Sequence, residues 1–237
     1  MIIDIHTHIL PQIDDGSDSV ETSLAILQRM AQQRVKVVCA TSHYYAEENS
    51  IASFCARRAH GYEKLRQGGL KKRPIVRLAA EVAFFDGISE ARDLDRLCIQ
   101  DTRTLMLEMP FCDWYDFQID EVKALVFDLR YQVVLVHPER FCGSKVNRAW
   151  LKQLAELPLC LQVNTGSLVG WHTRKLALEL LQATATPLLG SDCHNLSTRP
   201  PNLEEGRSIV RRKLGLDFLK SIDRNSKRLV TPCFAAP

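Results

Sequence analysis

Seven short apolar runs recur along the chain, at residues 2–6, 35–40, 75–80, 104–108, 133–136, 159–163 and 187–190. Each is nearly continuous in hydrophobicity, as expected of parallel strands buried on both faces. Between them lie stretches of helical period at 20–33, 50–67, 119–129, 147–156 and 173–184. In the first of these, Val20, Leu24, Leu27 and Ala31 share one stripe, with Asp18 and Glu21 in the positions of a capping box. Seven β/α units without a Pro/Gly-rich linker predict a single α/β domain over residues 1–237, a distorted (β/α)7-type TIM-like barrel. The last ~35 residues read as helical and are expected to pack on the barrel exterior.

Composition narrows the function classes. A length of 237 residues suits one large barrel, and 46% hydrophobic with 25% charged residues is ordinary for a globular domain. The net charge of +3 argues against dedicated nucleic-acid binding. The basic runs Lys71-Lys72-Arg73 and Arg211-Arg212-Lys213 read as solvated faces. No apolar stretch reaches the roughly 18 residues a membrane span needs. The chain enters a strand-like segment directly at Met1-Ile2-Ile3, with no secretory signal, so a cytoplasmic location is expected. None of the eight cysteines forms a C-x-x-C pair. Cys39, Cys98 and Cys160 sit in apolar stretches and read as core residues, and no disulfide framework is expected.

The placement of histidines and carboxylates changes the picture. In a β/α barrel, residues that end a strand point into the C-terminal mouth, where such enzymes do their chemistry. His6 and His8 end the first run, His43 follows the second, Glu81 the third, Glu108 ends the fourth and His137 the fifth, while Asp192 and His194 follow the seventh. His6-Thr7-His8 and Asp192-Cys193-His194 each put two donors on one face of an extended segment, where both can grip one cation. Glu108, inside Leu105-Met106-Leu107-Glu108-Met109-Pro110, must be paired or bind a metal to be tolerated there. Glu81, after Leu78-Ala79-Ala80, poses the same problem. Asp4 reads as a residue that orients a ligand or caps a backbone group. His60 and His172 lie in helical or loop context and read as ordinary. Cys142 and Arg148 have the C-x5-R spacing of cysteine-dependent tyrosine phosphatases, but the intervening segment lacks that family's later glycine, and the match reads as accidental.

Several motifs together resemble a known family. Asp4-Ile5-His6-Thr7-His8-Ile9-Leu10-Pro11 with Ile13-Asp14-Asp15-Gly16 resembles the opening of PHP-domain (polymerase and histidinol phosphatase) proteins. More narrowly, it resembles the manganese-dependent tyrosine-protein phosphatases of capsule and exopolysaccharide loci. The likeness continues through Ala40-Thr41-Ser42-His43, Ala80-Glu81-Val82, Leu107-Glu108-Met109-Pro110-Phe111 and Val136-His137-Pro138-Glu139-Arg140-Phe141. It ends with Gln162-Val163-Asn164-Thr165-Gly166-Ser167-Leu168, Ser191-Asp192-Cys193-His194-Asn195 and Arg199-Pro200-Pro201. The resemblance implies a PHP fold and a cluster of two or three metal ions, manganese expected, with iron or zinc also suited to these ligands. Its ligands would be His6, His8, Asp15, His43, Glu81, Glu108, His137, Asp192 and His194, with Glu108 bridging and Asp14 a weaker substitute for Asp15. Arg140 and Arg199 would bind the substrate phosphate. Where the resemblance leads one to expect basic or histidine character after His43, this chain has Tyr44-Tyr45-Ala46-Glu47-Glu48.

The expected activity is hydrolysis of phosphotyrosine on a protein, the tyrosine-rich tail of a polysaccharide-export kinase. The rivals are a small-molecule phosphatase of the histidinol-phosphatase type and a metal-binding regulatory scaffold. Amidohydrolases also open with H-x-H in a barrel, but Glu108 and the terminal D-x-H point away from them.

Overall fold

The computed structural model describes residues 1–71 and 74–232. Lys72 and Arg73 of the first basic run, and residues 233–237 of the C-terminal segment, lie outside the described residues. In chain order the elements are β1 (Ile2–Thr7), α1 (Val20–Gln32), β2 (Val35–Ala40), β3 (His43–Tyr44), α2 (Ile51–Gln67), β4 (Ile75–Leu78), β5 (Glu81–Ala83), β6 (Thr104–Glu108), α3 (Asp116–Phe127), β7 (Gln132–Val136), α4 (Lys145–Leu154), β8 (Cys160–Asn164), α5 (Thr165–Val169), α6 (Arg174–Gln182), β9 (Pro187–Gly190), α7 (Leu203–Leu214) and α8 (Leu216–Val230).

All strand pairings are parallel, as the continuous apolar runs require. One sheet has the order β1-β2-β4 and the other β3-β5-β6-β7-β8-β9. Two runs are each followed by a break and a second short strand. After Ala40 the chain steps through Thr41-Ser42 before β3, and after Leu78 it steps through Ala79-Ala80 before β5. Before the break these two runs pair with each other as β2 and β4; after it they pair again as β3 and β5 in the other sheet. The run at 75–80 therefore holds β4 alone, and Glu81 opens a separate strand, β5. At the far side, a parallel bridge between Thr7 and Cys193 joins the end of β1 to the segment after β9. His8 N–H donates to Cys193 O at 2.8 Å and Asp192 N–H to His6 O at 2.9 Å. This stitch brings the first and last polar motifs of the sequence together.

The apolar residues form two clusters. The larger lies between strands and helices and includes Val38, Leu105, Leu107, Leu135, Leu161 and Leu189 with Ile26, Phe54 and Val122. The smaller draws Ile3, Ile5, Val37, Met106, Val134, Val136 and Leu188 from strands, joined by Leu229 and Val230 from the end of α8. The C-terminal segment is thus two helices, and the second sends its last residues into the inner cluster instead of lying wholly outside. Thr104 Oγ1 fixes that end by donating to Leu229 O at 2.9 Å.

Helix α1 starts as a capped amphipathic helix, but with a different cap and stripe. Ser19, not Asp18, is the N-cap, and its side chain accepts from Thr22 N–H. The buried face is Ser23, Ile26, Leu27 and Met30, while Ala31 is exposed. The expected helix at 173–184 is α6, with the short α5 before it on the 165–169 segment. Cys39, Cys98 and Cys160 are buried as expected, and the cysteines among the described residues are all unpaired.

Candidate metal centre

The histidines and carboxylates expected at the mouth lie at or beside strand termini, although two of them open a strand instead of ending one. His6 lies next to last in β1 and His8 follows it, His43 opens β3, Glu81 opens β5, Glu108 closes β6, His137 follows β7, and Asp192 and His194 follow β9. Two glycines make room for them. A Cβ on Gly16 would collide with the carbonyl oxygen and Cβ of His8, and one on Gly190 would sit 2.6 Å from His6 Cβ. The backbone at His137 (φ 31°) and Asp192 (φ 53°) is left-handed, which turns each strand end sharply inward at a cost of about 1–3 kcal/mol per residue.

Four atoms converge most closely: His6 Nε2, His8 Nε2, Glu81 Oε2 and Asp192 Oδ1. The two nitrogens are 3.3 Å apart. Glu81 Oε2 lies 3.2 Å from each nitrogen, and Asp192 Oδ1 lies 3.5 Å from His6 and 3.4 Å from His8. A tetrahedron of such edges has its centre about 2 Å from each corner, the coordination distance for imidazole and carboxylate ligands. Glu81 Oε2 and Asp192 Oδ1 are buried and make no hydrogen bond. Buried carboxylate oxygens are normally satisfied, so this donor set fits a cation. Two further groups adjoin: His8, Asp15, His43 and His194, and His43, Glu81 and Glu108. In the first, Asp15 Oδ1 is 3.4 Å from His43 Nε2 and 3.3 Å from His194 Nε2. In the second, His43 Nδ1 is 3.0 Å from Glu81 Oε2. The carboxylate common to two groups is Glu81, the place expected for Glu108. His137 stands just outside all three, with Nε2 at 2.7 Å from Glu81 Oε1 and 3.4 Å from Glu108 Oε1.

Hydrogen bonds behind the rings fix three tautomers the same way. His6 Nδ1–H donates to Gln162 Oε1 at 2.7 Å, His8 Nδ1–H to Asp14 Oδ2 at 2.8 Å, and His194 Nδ1–H to Asp192 O at 2.9 Å. Each leaves the Nε2 lone pair facing the mouth. Asp14 also accepts from the His43 backbone N–H at 2.9 Å, so it braces the His8 ring and the start of β3 while its neighbour Asp15 faces the centre. Gln162 continues through Asn164 Oδ1 at 2.8 Å to Asp192 Oδ2, which Asn164 Nδ2 reaches at 2.7 Å. Asp4 caps backbone, accepting from Ser191 N–H at 2.9 Å. Glu139 does likewise for Asn164 N–H at 2.8 Å.

The electrostatics follow from this crowding. Burial opposes protonation of His6, yet Glu81 and Asp192 outweigh it and push its pKa up to about 9. His8 is also pushed well up, its burial overcome by Asp14, Asp192 and Glu81. Burial favours a neutral Glu81, but His6 and the other imidazoles hold its carboxyl well below the usual range. Burial and the neighbouring charge of Glu81 push Glu108 up to about 7. Burial, His8 and Arg199 together hold His194 down at about 4.

The two expected arginines differ. Arg140 is 42% exposed, lies 3.8 Å from Glu108 Oε1, and its guanidinium sits 4.7 Å from the Phe111 ring centre. Arg199 is engaged: it donates to Asp192 Oδ2 at 2.6 Å and to His194 Nε2 at 2.7 Å. Cys142 and Arg148 line a separate cavity of about 420 Å3 between α4, β8 and α6. Burial pushes the Cys142 thiol up to about 11, the wrong direction for a nucleophile. His60 and His172 are exposed, as expected. Asp14, Gln162 and Asn164 are the site residues whose roles the sequence did not reveal. The one signal was polar residues at alternate positions closing an apolar strand, Leu161-Gln162-Val163-Asn164.

The family model described as capsular polysaccharide synthesis, CpsB/CapC, matches residues 2–231. The chain is similar to the tyrosine-protein phosphatase YwqE of Bacillus subtilis, at 27% identity over 97% of this chain and 91% of that protein. It is also similar to the tyrosine-protein phosphatase CpsB of Streptococcus pneumoniae, at 24% identity over 97% and 98%. A solved structure from work on YwqE and CpsB, described there as unique metal-dependent tyrosine phosphatases, superposes with a TM-score of 0.81 at 25% identity, covering 97% of this chain and 94% of that one. An amidohydrolase from Bifidobacterium longum subsp. infantis shares the fold, with a TM-score of 0.57 at 15% identity over 97% and 98% of the two chains.

Proposed function

Because the chain belongs to the CpsB/CapC family of capsular polysaccharide synthesis, we propose that it is a metal-dependent protein-tyrosine phosphatase acting on the tyrosine-rich tail of a polysaccharide-export kinase. The observation that carries this reading is the pair of buried, unbonded oxygens, Glu81 Oε2 and Asp192 Oδ1, facing the Nε2 atoms of His6 and His8. The residues that would hold two or three cations are His6, His8, Asp15, His43, Glu81, Glu108, Asp192 and His194, with His137 at the edge. Manganese is the expected ion, and iron or zinc also suit imidazole and carboxylate donors. When bound, divalent cations polarise phosphate oxygens and activate water for in-line attack.

The chain's own residues do the rest. Gln162, Asp14 and the Asp192 carbonyl keep three imidazoles turned toward the centre. Arg140 is the arginine positioned to meet phosphate, steadied by Phe111 and placed beside Glu108, and it would neutralise equatorial oxygens as charge develops. Arg199 joins it by exchanging His194 Nε2 for a phosphate oxygen. A phenolate leaving group, with a pKa of about 10, departs without a dedicated acid. The same reading takes residues 1–237 as one cytoplasmic domain with seven staves around a distorted barrel, β2 with β3 and β4 with β5 each counting as one. No helix among the described residues is long and apolar enough to cross a membrane.

The test is turnover of a phosphotyrosine peptide against histidinol phosphate and sugar phosphates, with chelator and with added cations. We expect peptide turnover that chelator abolishes and Mn2+ restores. Turnover indifferent to chelator, or confined to the small phosphates, would refute the proposal.

A further inference from the structure

We infer that the rim pocket outside β3, β5 and β6 is a subsite for a basic side chain flanking the phosphotyrosine. The inference rests on the phosphotyrosine reading above. The pocket has a volume of about 420 Å3. Ala46 and Glu47 bound it after β3, Phe84, Phe85 and Asp86 after β5, and Pro110 after β6. These three strands are neighbours in one sheet and also carry His43, Glu81 and Glu108. The pocket therefore begins three residues past His43, three past Glu81 and two past Glu108. A peptide whose phosphate occupies the centre advances about 3.5 Å per residue, so a side chain one or two places away falls over the pocket.

The lining selects the chemistry. Phe84 and Phe85 are half-buried and give an apolar, aromatic base, while Glu47 and Asp86 are exposed at its edge and Glu48, next in sequence to Glu47, is exposed as well. Among the described residues, none of these three carboxylates makes an ion pair. The nearby arginines are committed elsewhere, Arg140 beside Glu108 and Arg199 on Asp192. Lysine or arginine meets both demands, laying its methylene stem on the phenyl faces and its charge among the carboxylates. An acidic flanking residue would meet the like charges of Glu47 and Asp86, which is how a site rejects the wrong partner. The loop Tyr44-Tyr45-Ala46-Glu47-Glu48, acidic where basic character was expected, thereby acquires a role in substrate choice.

Three phosphotyrosine peptides, identical except for lysine, alanine or glutamate on either side of the phosphotyrosine, test this with the Mn2+-loaded full chain. Rates are compared as kcat/KM, each normalised to the same protein's turnover of p-nitrophenyl phosphate, which has no flanking residue. The lysine peptide should exceed the alanine peptide roughly fivefold, the upper range for an exposed ion pair, with the glutamate peptide slowest. The ordering should flatten at high salt and in the E47Q/D86N double variant, and reverse in E47K/D86K. Equal rates on all three peptides, or an ordering that survives E47Q/D86N, would overturn the subsite while leaving the phosphatase reading intact. Failure to turn over p-nitrophenyl phosphate and every peptide would instead defeat that reading, and this inference with it.

Discussion

Replacing Gln162 by leucine isolates what the groups behind the metal ligands contribute. Gln162 Oε1 is the acceptor that keeps the proton of His6 on Nδ1, at 2.7 Å, and its amide continues to Asn164 and from there to Asp192. Leucine keeps much of the volume and removes both bonds. The His6 Nδ1–H is then buried without a partner, or the proton moves to Nε2 and covers the lone pair that should face the cation. Loss of such a supporting bond weakens metal affinity about 10–100-fold, or about 1.4–2.7 kcal/mol. Separately, an unsatisfied buried donor costs about 1–3 kcal/mol of folding stability, which lowers the melting temperature by about 2–4 °C per kcal/mol in a chain of this size. The two effects are read apart by calorimetric Mn2+ titration of chelator-treated protein and by melting of the metal-free form. Gln162→Glu supplies another acceptor for Nδ1–H and should retain most of the affinity that Gln162→Leu loses. Wild-type Mn2+ affinity in Gln162→Leu, or equal weakening in both variants, would refute the tautomer argument.

Arg140→Ala should reduce kcat/KM at least a hundredfold, as loss of a transition-state charge partner does, with metal content unchanged by elemental analysis; unchanged turnover would remove Arg140 from the site. Arg199→Ala should alter metal affinity as well as turnover, because Arg199 is bonded to Asp192 and His194; a pure turnover defect would contradict that. Cys142→Ser should leave aryl phosphatase activity within about twofold, since the thiol is pushed up to about 11 by burial and lines a different cavity; loss of activity would reinstate a cysteine nucleophile. The pH dependence has a definite sign. His6, with its folded pKa raised to about 9, gives the metal-free protein stability that is fully present below the unfolded value of about 6.5 and is lost as pH rises through about 9. A cation must displace that proton, so the Mn2+-induced rise in melting temperature should grow between pH 6.5 and 9; a rise that shrinks over this window would count against His6 as a ligand.

The fold was legible because its strands are short apolar runs with polar donors at their ends, and that pattern has one economical arrangement, a parallel sheet with the donors at one rim. What stayed hidden was whatever depends on the third dimension. No propensity marks the two-residue steps at Thr41-Ser42 and Ala79-Ala80, where the chain changes sheets, because buried alanine and hydroxyl residues fit a strand equally well. The N-cap was displaced by one residue because Asp18 and Ser19 are both good caps and only geometry chooses between them. Asp15 was preferred to Asp14 on the argument that adjacent side chains point apart; Asp15 Oδ1 stands 3.4 Å from His43 Nε2, while Asp14 bonds the back of the His8 ring. Glu81 rather than Glu108 is the carboxylate shared between groups because β5 begins at Glu81 after the break, and this set-back was invisible in a run read as one strand.

Charge at the mouth links these details to the choice of substrate. Asp15, Glu81, Glu108 and Asp192 face the centre, with Asp14 behind His8, so the fully deprotonated set, reached above the raised Glu108 value of about 7, carries five negative charges against neutral imidazoles. In the metal-free protein the raised pKa values of His6 and His8 return only part of this. A phosphate monoester carries close to two negative charges at neutral pH, and such a mouth repels it. Two divalent cations would nearly cancel the carboxylates, and a third would make the centre positive even before Arg140 and Arg199 are counted. On that count, cations held there would serve binding before they serve chemistry. With the centre positive and the rim at Glu47, Glu48 and Asp86 negative, the mouth presents adjacent fields of opposite sign. A substrate that places a phosphate beside a cationic side chain satisfies both, and a bare small phosphate satisfies only one.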